Sequence, residues 1–181
     1  ADVNHAAVRF LSALRSIPAP PTHSWQSAAI PASARPHEPK REWNQGLYIG
    51  GWVPEMGTVY GPGGPQLADI QQGGTGDCYF LAAVAATLRV DPAAIRKMIH
   101  DNGNGTYTVT FADGKQETVD SSMLDFTMQS FPDGSYGPAT TSVPVVAGMP
   151  VLWVLILEKA YAERRGGYGV INQGGLPNTA M

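Results

Sequence analysis

The sequence predicts an α+β fold, a mostly helical body around one buried helix with a small β-hairpin. Three observations predict it. Cys78 to Val90 (CYFLAAVAATLRV) is nearly all apolar and holds no Gly or Pro, the pattern of a buried helix. Thr106 to Phe111 (TYTVTF) alternates and is β-branched, and Lys115 to Val119 follows it across Asp113-Gly114 as the return of a hairpin. Pro150 to Arg165 reads as another helix, started by Pro150 and stopped by Gly166-Gly167.

The other elements follow in chain order. Ala7, Phe10, Leu11 and Leu14 share one face of a short amphipathic helix over Val3 to Ser16. Ile17 to Arg41 holds six prolines among Ala and Ser, which makes it a linker or a surface-hugging arm. Gly46 to Gly76 is also rich in Gly and Pro. It carries the apolar anchors Leu47, Tyr48, Ile49, Trp52, Val53 and Tyr60, so it reads as a structured loop pinned to a core. Asp77 is placed to cap the Cys78 helix. Asp91-Pro92 opens a second helix that continues from Ala93 to His100, and Asn102-Gly103-Asn104-Gly105 ends it. The organisation is then an N-terminal helix and arm (1–45), a core lobe (46–170) and an exit segment (171–181).

Composition removes several function classes. The 181 residues carry a net charge of -3, without a basic stripe of the kind that binds nucleic acid. One cysteine excludes an internal disulfide framework and a Cys-rich zinc site, and fits a reducing compartment. The longest apolar run, Val143 to Leu157, is broken by Pro144 and Pro150 and is too short to span a bilayer. The first residues, with Asp2, His5 and Arg9, lack the apolar core of a secretory signal.

Chemistry concentrates in Asp69 to Ala83 (DIQQGGTGDCYFLAA). A glycine-rich loop delivers the single cysteine to the first turn of a buried helix. The helix N-terminus offers unpaired N–H groups and partial positive charge, both of which favour the reactive thiolate. The glycines leave the approach to the sulfur free of side chains. Gln72 lies upstream on the same loop, where its amide N–H and the Cys78 backbone N–H could form an oxyanion hole for acyl transfer. The competing reading makes Cys78 a small buried apolar residue and Gln72 a solvated loop residue.

The segment Gln72-Gly73-x-x-Gly76-Asp77-Cys78-Tyr79-Phe80-Leu81-Ala82-Ala83 resembles the active-site cysteine segment of calpains, a family of papain-like cysteine proteases, with Tyr79 where the family usually has Trp. Pro92 to Phe111 resembles the helix-then-strand passage that follows. Leu152 to Ala162 (LWVLILEKAYA), then Gly167-Tyr168 and Gly174-Gly175, resembles the family's later helix and its exit. The resemblance covers about Leu47 to Gly175. It implies the N-terminal lobe of a papain-like protease, with Cys78 as nucleophile and Gln72 as oxyanion-hole side chain. It also implies a general-base His and an orienting Asn in a second lobe, expected beyond Met181.

Other residues depart from the family pattern. The histidines are His5, His23, His37 and His100, none where the family puts its base, and His100 is read as a cation at a helix C-terminus. Asn172 and Asn178 lie near the end with no His in the base position before them and receive no role. Animal-tissue members bind calcium in this lobe through an Asp matched by Asp69 and a Glu whose position holds Val151. A lost carboxylate lowers calcium affinity sharply, and Asp101 to Gly105 lacks the late Glu of an EF-hand loop. No metal or cofactor is expected. Trp153, Leu157 and Tyr161 are assigned to the core, Trp43, Trp52 and Tyr60 to pinning the loop (Trp52 as a possible cleft border), and Glu158 and Lys159 to structural pairing.

The expected function is therefore a cysteine endopeptidase acting on polypeptides, present here as its nucleophile lobe and inactive without a second lobe or partner chain that supplies His and Asn. The alternative is a non-catalytic protein-interaction module on the same scaffold. Low Lys and high Ala content suggest a bacterial relative, either a cytoplasmic protease or a secreted effector or toxin.

Overall fold

A computed structural model describes residues 38–40, 51–125 and 143–180. The expected N-terminal helix, most of the proline-rich arm and Trp43 lie outside the described residues.

Helix α1 spans Cys78–Val90, as its unbroken apolar run requires. Phe80, Leu81, Val84 and Leu88 are buried along it. The short helix α2, Pro92–Met98, begins where expected: the Asp91 carboxylate accepts from the Ala93 N–H at 2.9 Å. It stops two residues earlier than the sequence suggests. Ile99 and His100 instead join Asp101 in strand β2, Ile99–Asp101, opposite Val109 and Thr108 of strand β3, Thr106–Thr110. The β-branched Ile99 is buried there, so tertiary pairing overrides helix continuation.

Strand β4, Gln116–Asp120, returns antiparallel to β3 through the Asp113-Gly114 turn. Gly114 adopts φ 80, and the Phe111 N–H donates to the Lys115 carbonyl at 2.9 Å. The β content exceeds the one hairpin expected. Besides the β2-β3-β4 sheet, β1 (Gly51–Pro54) pairs with β5 (Ser122–Asp125), and β6 (Val145–Val146) pairs with β7 (Met149–Pro150).

The second long helix, α3, spans Trp153–Arg165. Pro150 does not start it. The N–H groups of Val151, Leu152 and Trp153 donate to the carbonyls of Pro144, Thr58 and Val59, so the helix does not begin until Trp153. Gly166 ends the helix at φ 92, and the Gly167 N–H donates to the Ala162 carbonyl at 2.7 Å. Residues 151 to 162 are buried without a break. Helix α4, Tyr168–Ile171, follows directly.

The core lies between α1, α3 and the three-stranded sheet. Phe80 of α1 stacks on Tyr161 of α3 with ring centroids 4.3 Å apart. Tyr79 meets the same ring edge-on at 6.2 Å. Val109 and Val119 close the sheet side. No single described helix is long and apolar enough to cross a membrane.

Candidate active site around Cys78

Helix α1 is buried on one face only: Tyr79, Phe80, Leu81, Ala83, Val84 and Leu88 pack inward, while Ala82, Ala86, Arg89 and Val90 are exposed on the side that also carries Cys78. Cys78 is exposed at its first position, whereas Tyr79, Phe80 and Leu81 directly after it are buried. The small-buried-residue reading of Cys78 is thereby excluded. Pro62 to Gly76 leads in as a loop with a single 3-10 turn, Leu67–Asp69. The sulfur therefore meets solvent at the end of a rigid element, beside the helix's unpaired N–H groups.

Gln72 lies on that loop and is exposed. Its Nε2 donates to the Thr75 carbonyl at 2.8 Å, closing the loop on itself. A primary amide has two hydrogens, so this bond engages one of them.

Asp77 departs from its expected role. Its carboxylate caps no N–H of α1. It is fully buried and faces Glu158 of α3, also fully buried. Burial is the dominant cause that pushes the Asp77 pKa up, to about 7, while its own backbone N–H and the hydrogen bond with Glu158 pull it down. Two buried carboxyls that interact cannot both carry a charge without cost, so burial favours keeping a proton on Asp77. The buried Tyr168 hydroxyl stands against the same pair. Its pKa is raised first by burial, then by the nearby negative charges of Glu158 and Asp77. This acid pair behind the nucleophile was invisible in the sequence, because Asp77 and Glu158 are far apart in the chain.

Asn172, assigned no role from sequence, ends α4 beside this loop. Its Oδ1 accepts from the Gly76 N–H at 2.7 Å. The other residues weighed fall elsewhere. His100 is exposed in β2 rather than at a helix terminus. Asn178 is exposed in a 3-10 turn, Pro177–Thr179. Trp52 pairs opposite Leu124, with the Lys159 ammonium 4.0 Å from its ring centroid, which places it on the structural side rather than at a cleft edge.

Among the described residues, the side-chain oxygens weighed for calcium are already engaged in internal hydrogen bonds. Oδ2 of the buried Asp69 already accepts from the Trp153 indole N–H at 2.8 Å and from the Gln66 N–H at 2.9 Å. Val151 offers no side-chain oxygen. In the Asp101 to Gly105 turn, Asp101 accepts from the Gly103 N–H, and Asn104 accepts from the N–H and hydroxyl of Thr106. Those oxygens serve the turn.

Comparison with known proteins agrees with the residue pattern. A family model described as calpain family cysteine protease matches residues 35–181. The calpain-type cysteine protease ADL1 of Oryza sativa subsp. japonica is 35% identical over 123 residues, 66% of this chain and 5% of that protein. The calpain-type cysteine protease DEK1 of Zea mays is 34% identical over 123 residues, with the same coverage, and DEK1 of Arabidopsis thaliana is 34% identical over 118 residues, 63% of this chain and 5% of its own. The chain thus spans about one twentieth of the length of these relatives. All three are from plants and lend no support to the bacterial or toxin origin suggested by composition. With most of its length matched, the chain belongs to the calpain family of cysteine proteases.

Proposed function

We propose that this chain is the nucleophile-bearing part of a cysteine endopeptidase. One observation carries the reading: the single cysteine is exposed at the first position of a helix whose next three residues are buried. The Cys78 sulfur attacks a peptide carbonyl. An S–C bond forms, and the carbonyl electron pair moves to oxygen. The Cys78 backbone N–H and the second Gln72 amide hydrogen meet that oxyanion. The C–N bond then breaks with protonation of the leaving amine, and water hydrolyses the resulting thioester. Proton transfer to the amine needs a general acid, assigned to a His in a second lobe or partner chain, with an Asn orienting it.

A polypeptide is the substrate. A non-catalytic interaction module is the second reading. It draws on the self-closed loop, in which Gln72 bonds Thr75 rather than facing an incoming carbonyl.

The test uses the chain as it stands. Iodoacetamide should label Cys78 faster than it labels the same residue in the urea-unfolded chain, while casein is not turned over. Equal labelling rates would remove Cys78 from the nucleophile role. Casein turnover abolished by Cys78→Ala would show that no second lobe is needed.

A further inference from the structure

We propose that Asn172 is a positioning residue for the nucleophile, an inference that rests on the cysteine-protease reading of this site. Three observations converge on the turn that delivers Cys78. The Asn172 side-chain oxygen takes the Gly76 N–H at 2.7 Å, two residues before the sulfur. The backbone approaches equally closely: a Cβ on Gly76 would lie 2.8 Å from the Asn172 carbonyl oxygen. Just beyond, a Cβ on Gly175 would lie 2.7 Å from the Tyr79 ring. The stretch from Asn172 to Gly175 therefore grips the nucleophile turn on both sides, at Gly76 before Cys78 and at Tyr79 after it.

The chemistry follows from what this grip holds still. The Gly76 N–H lies ahead of α1, where no helical carbonyl can accept from it. A carboxamide oxygen satisfies it without adding charge beside the sulfur. With Gly76 fixed, the first turn of α1 stays wound, and the helix N–H groups remain aimed at the position where a thiolate and later an oxyanion form. The loop is closed from its other side by Gln72 donating to Thr75. The Gln72–Thr75 and Gly76–Asn172 bonds thus hold adjacent residues of the loop that leads into Cys78, as one frame. Asn172 is the member that ties this frame to α4 and hence to the core.

The experiment measures two quantities on the full 181-residue chain: hydrogen exchange at the Gly76 amide by NMR, and the second-order rate of Cys78 alkylation by iodoacetamide at pH 7. Asn172→Ala should speed Gly76 exchange by about tenfold or more and slow alkylation by about threefold or more. Asn172→Asp keeps an acceptor oxygen and should keep Gly76 protected, which isolates the hydrogen bond from the bulk of the side chain. Should Asn172→Ala fail to fold, Gly76→Ala strikes the same contact from the opposite side and should slow alkylation likewise. A wild-type Gly76 amide that exchanges freely overturns the proposal, and so does alkylation unchanged in a folded variant whose Gly76 amide has become exposed. Wild-type Cys78 reacting no faster than in the unfolded chain is a different failure, that of the site reading itself.

Discussion

The Asp77 carboxyl, one residue before Cys78, is fully buried. Aspartate just before a helix ordinarily caps it, yet this carboxyl turns inward to Glu158. Burial raises its pKa to about 7, so the folded state holds a proton that the unfolded chain releases near pH 4. The contribution to stability is therefore fully present below the unfolded value and is lost as pH rises toward about 7. Asp77→Asn removes that titration and keeps the shape. Its urea midpoint should vary less than wild type's between about pH 4 and 7, gaining most at the upper end. Parallel curves for the two proteins would mean that Asp77 does not carry the proton. Local patterns did locate the start of α1 at Cys78, the Asp91 cap and the Gly166 stop, because each is decided within one turn of helix. The partner of Asp77 comes from another helix, and only tertiary packing reveals it.

At the scale of elements, apolar continuity located α1 and alternation located β3 and β4. The errors fell where a segment's N–H groups find distant acceptors. Pro150 resembles a helix start, but the next three N–H groups are held by Pro144, Thr58 and Val59. Helix α3 is instead fixed at its first residue, where the buried Trp153 indole donates to Asp69. That bond ties α3 to the loop upstream of the nucleophile. Trp153→Phe keeps most of the ring and leaves a carboxylate, itself only 3% exposed, with one donor fewer. The expected loss is about 2 kcal/mol in chemical denaturation, the cost of under-satisfying a buried charged acceptor. A change below about 0.5 kcal/mol would show that water replaces the indole without penalty.

Across the whole molecule, one buried cation joins pieces that no sequence pattern links. Lys159 of α3 has no exposed side-chain surface, and its ammonium reaches Asp120 at 2.5 Å, Ser122 at 2.6 Å and Glu38 at 2.9 Å. It also lies over the Trp52 ring. Sheet β2-β3-β4, the β1-β5 ribbon and the segment of residues 38–40 thus converge on one nitrogen. The Tyr168 N–H, donating to the Lys40 carbonyl at 2.8 Å, makes a second tie to that segment. Burial alone would raise the Asp120 pKa, but the Lys159 charge and the bonds from Lys159 and Ser122 outweigh it, and the net shift is downward. This pair therefore stabilises the fold above the ordinary Asp range, and the contribution is lost as pH falls through the lowered value. Lys159→Met fills similar volume and leaves Asp120 and Glu38 without their cation. Stability at pH 7 should fall by about 3 kcal/mol, since removing one member of a buried pair strands the other. Adding Asp120→Asn should recover part of that loss, because the stranded charge is then gone. Strict additivity of the two substitutions would show that Lys159 stabilises through its aliphatic stem and its contact with Trp52, and not through the ion pair.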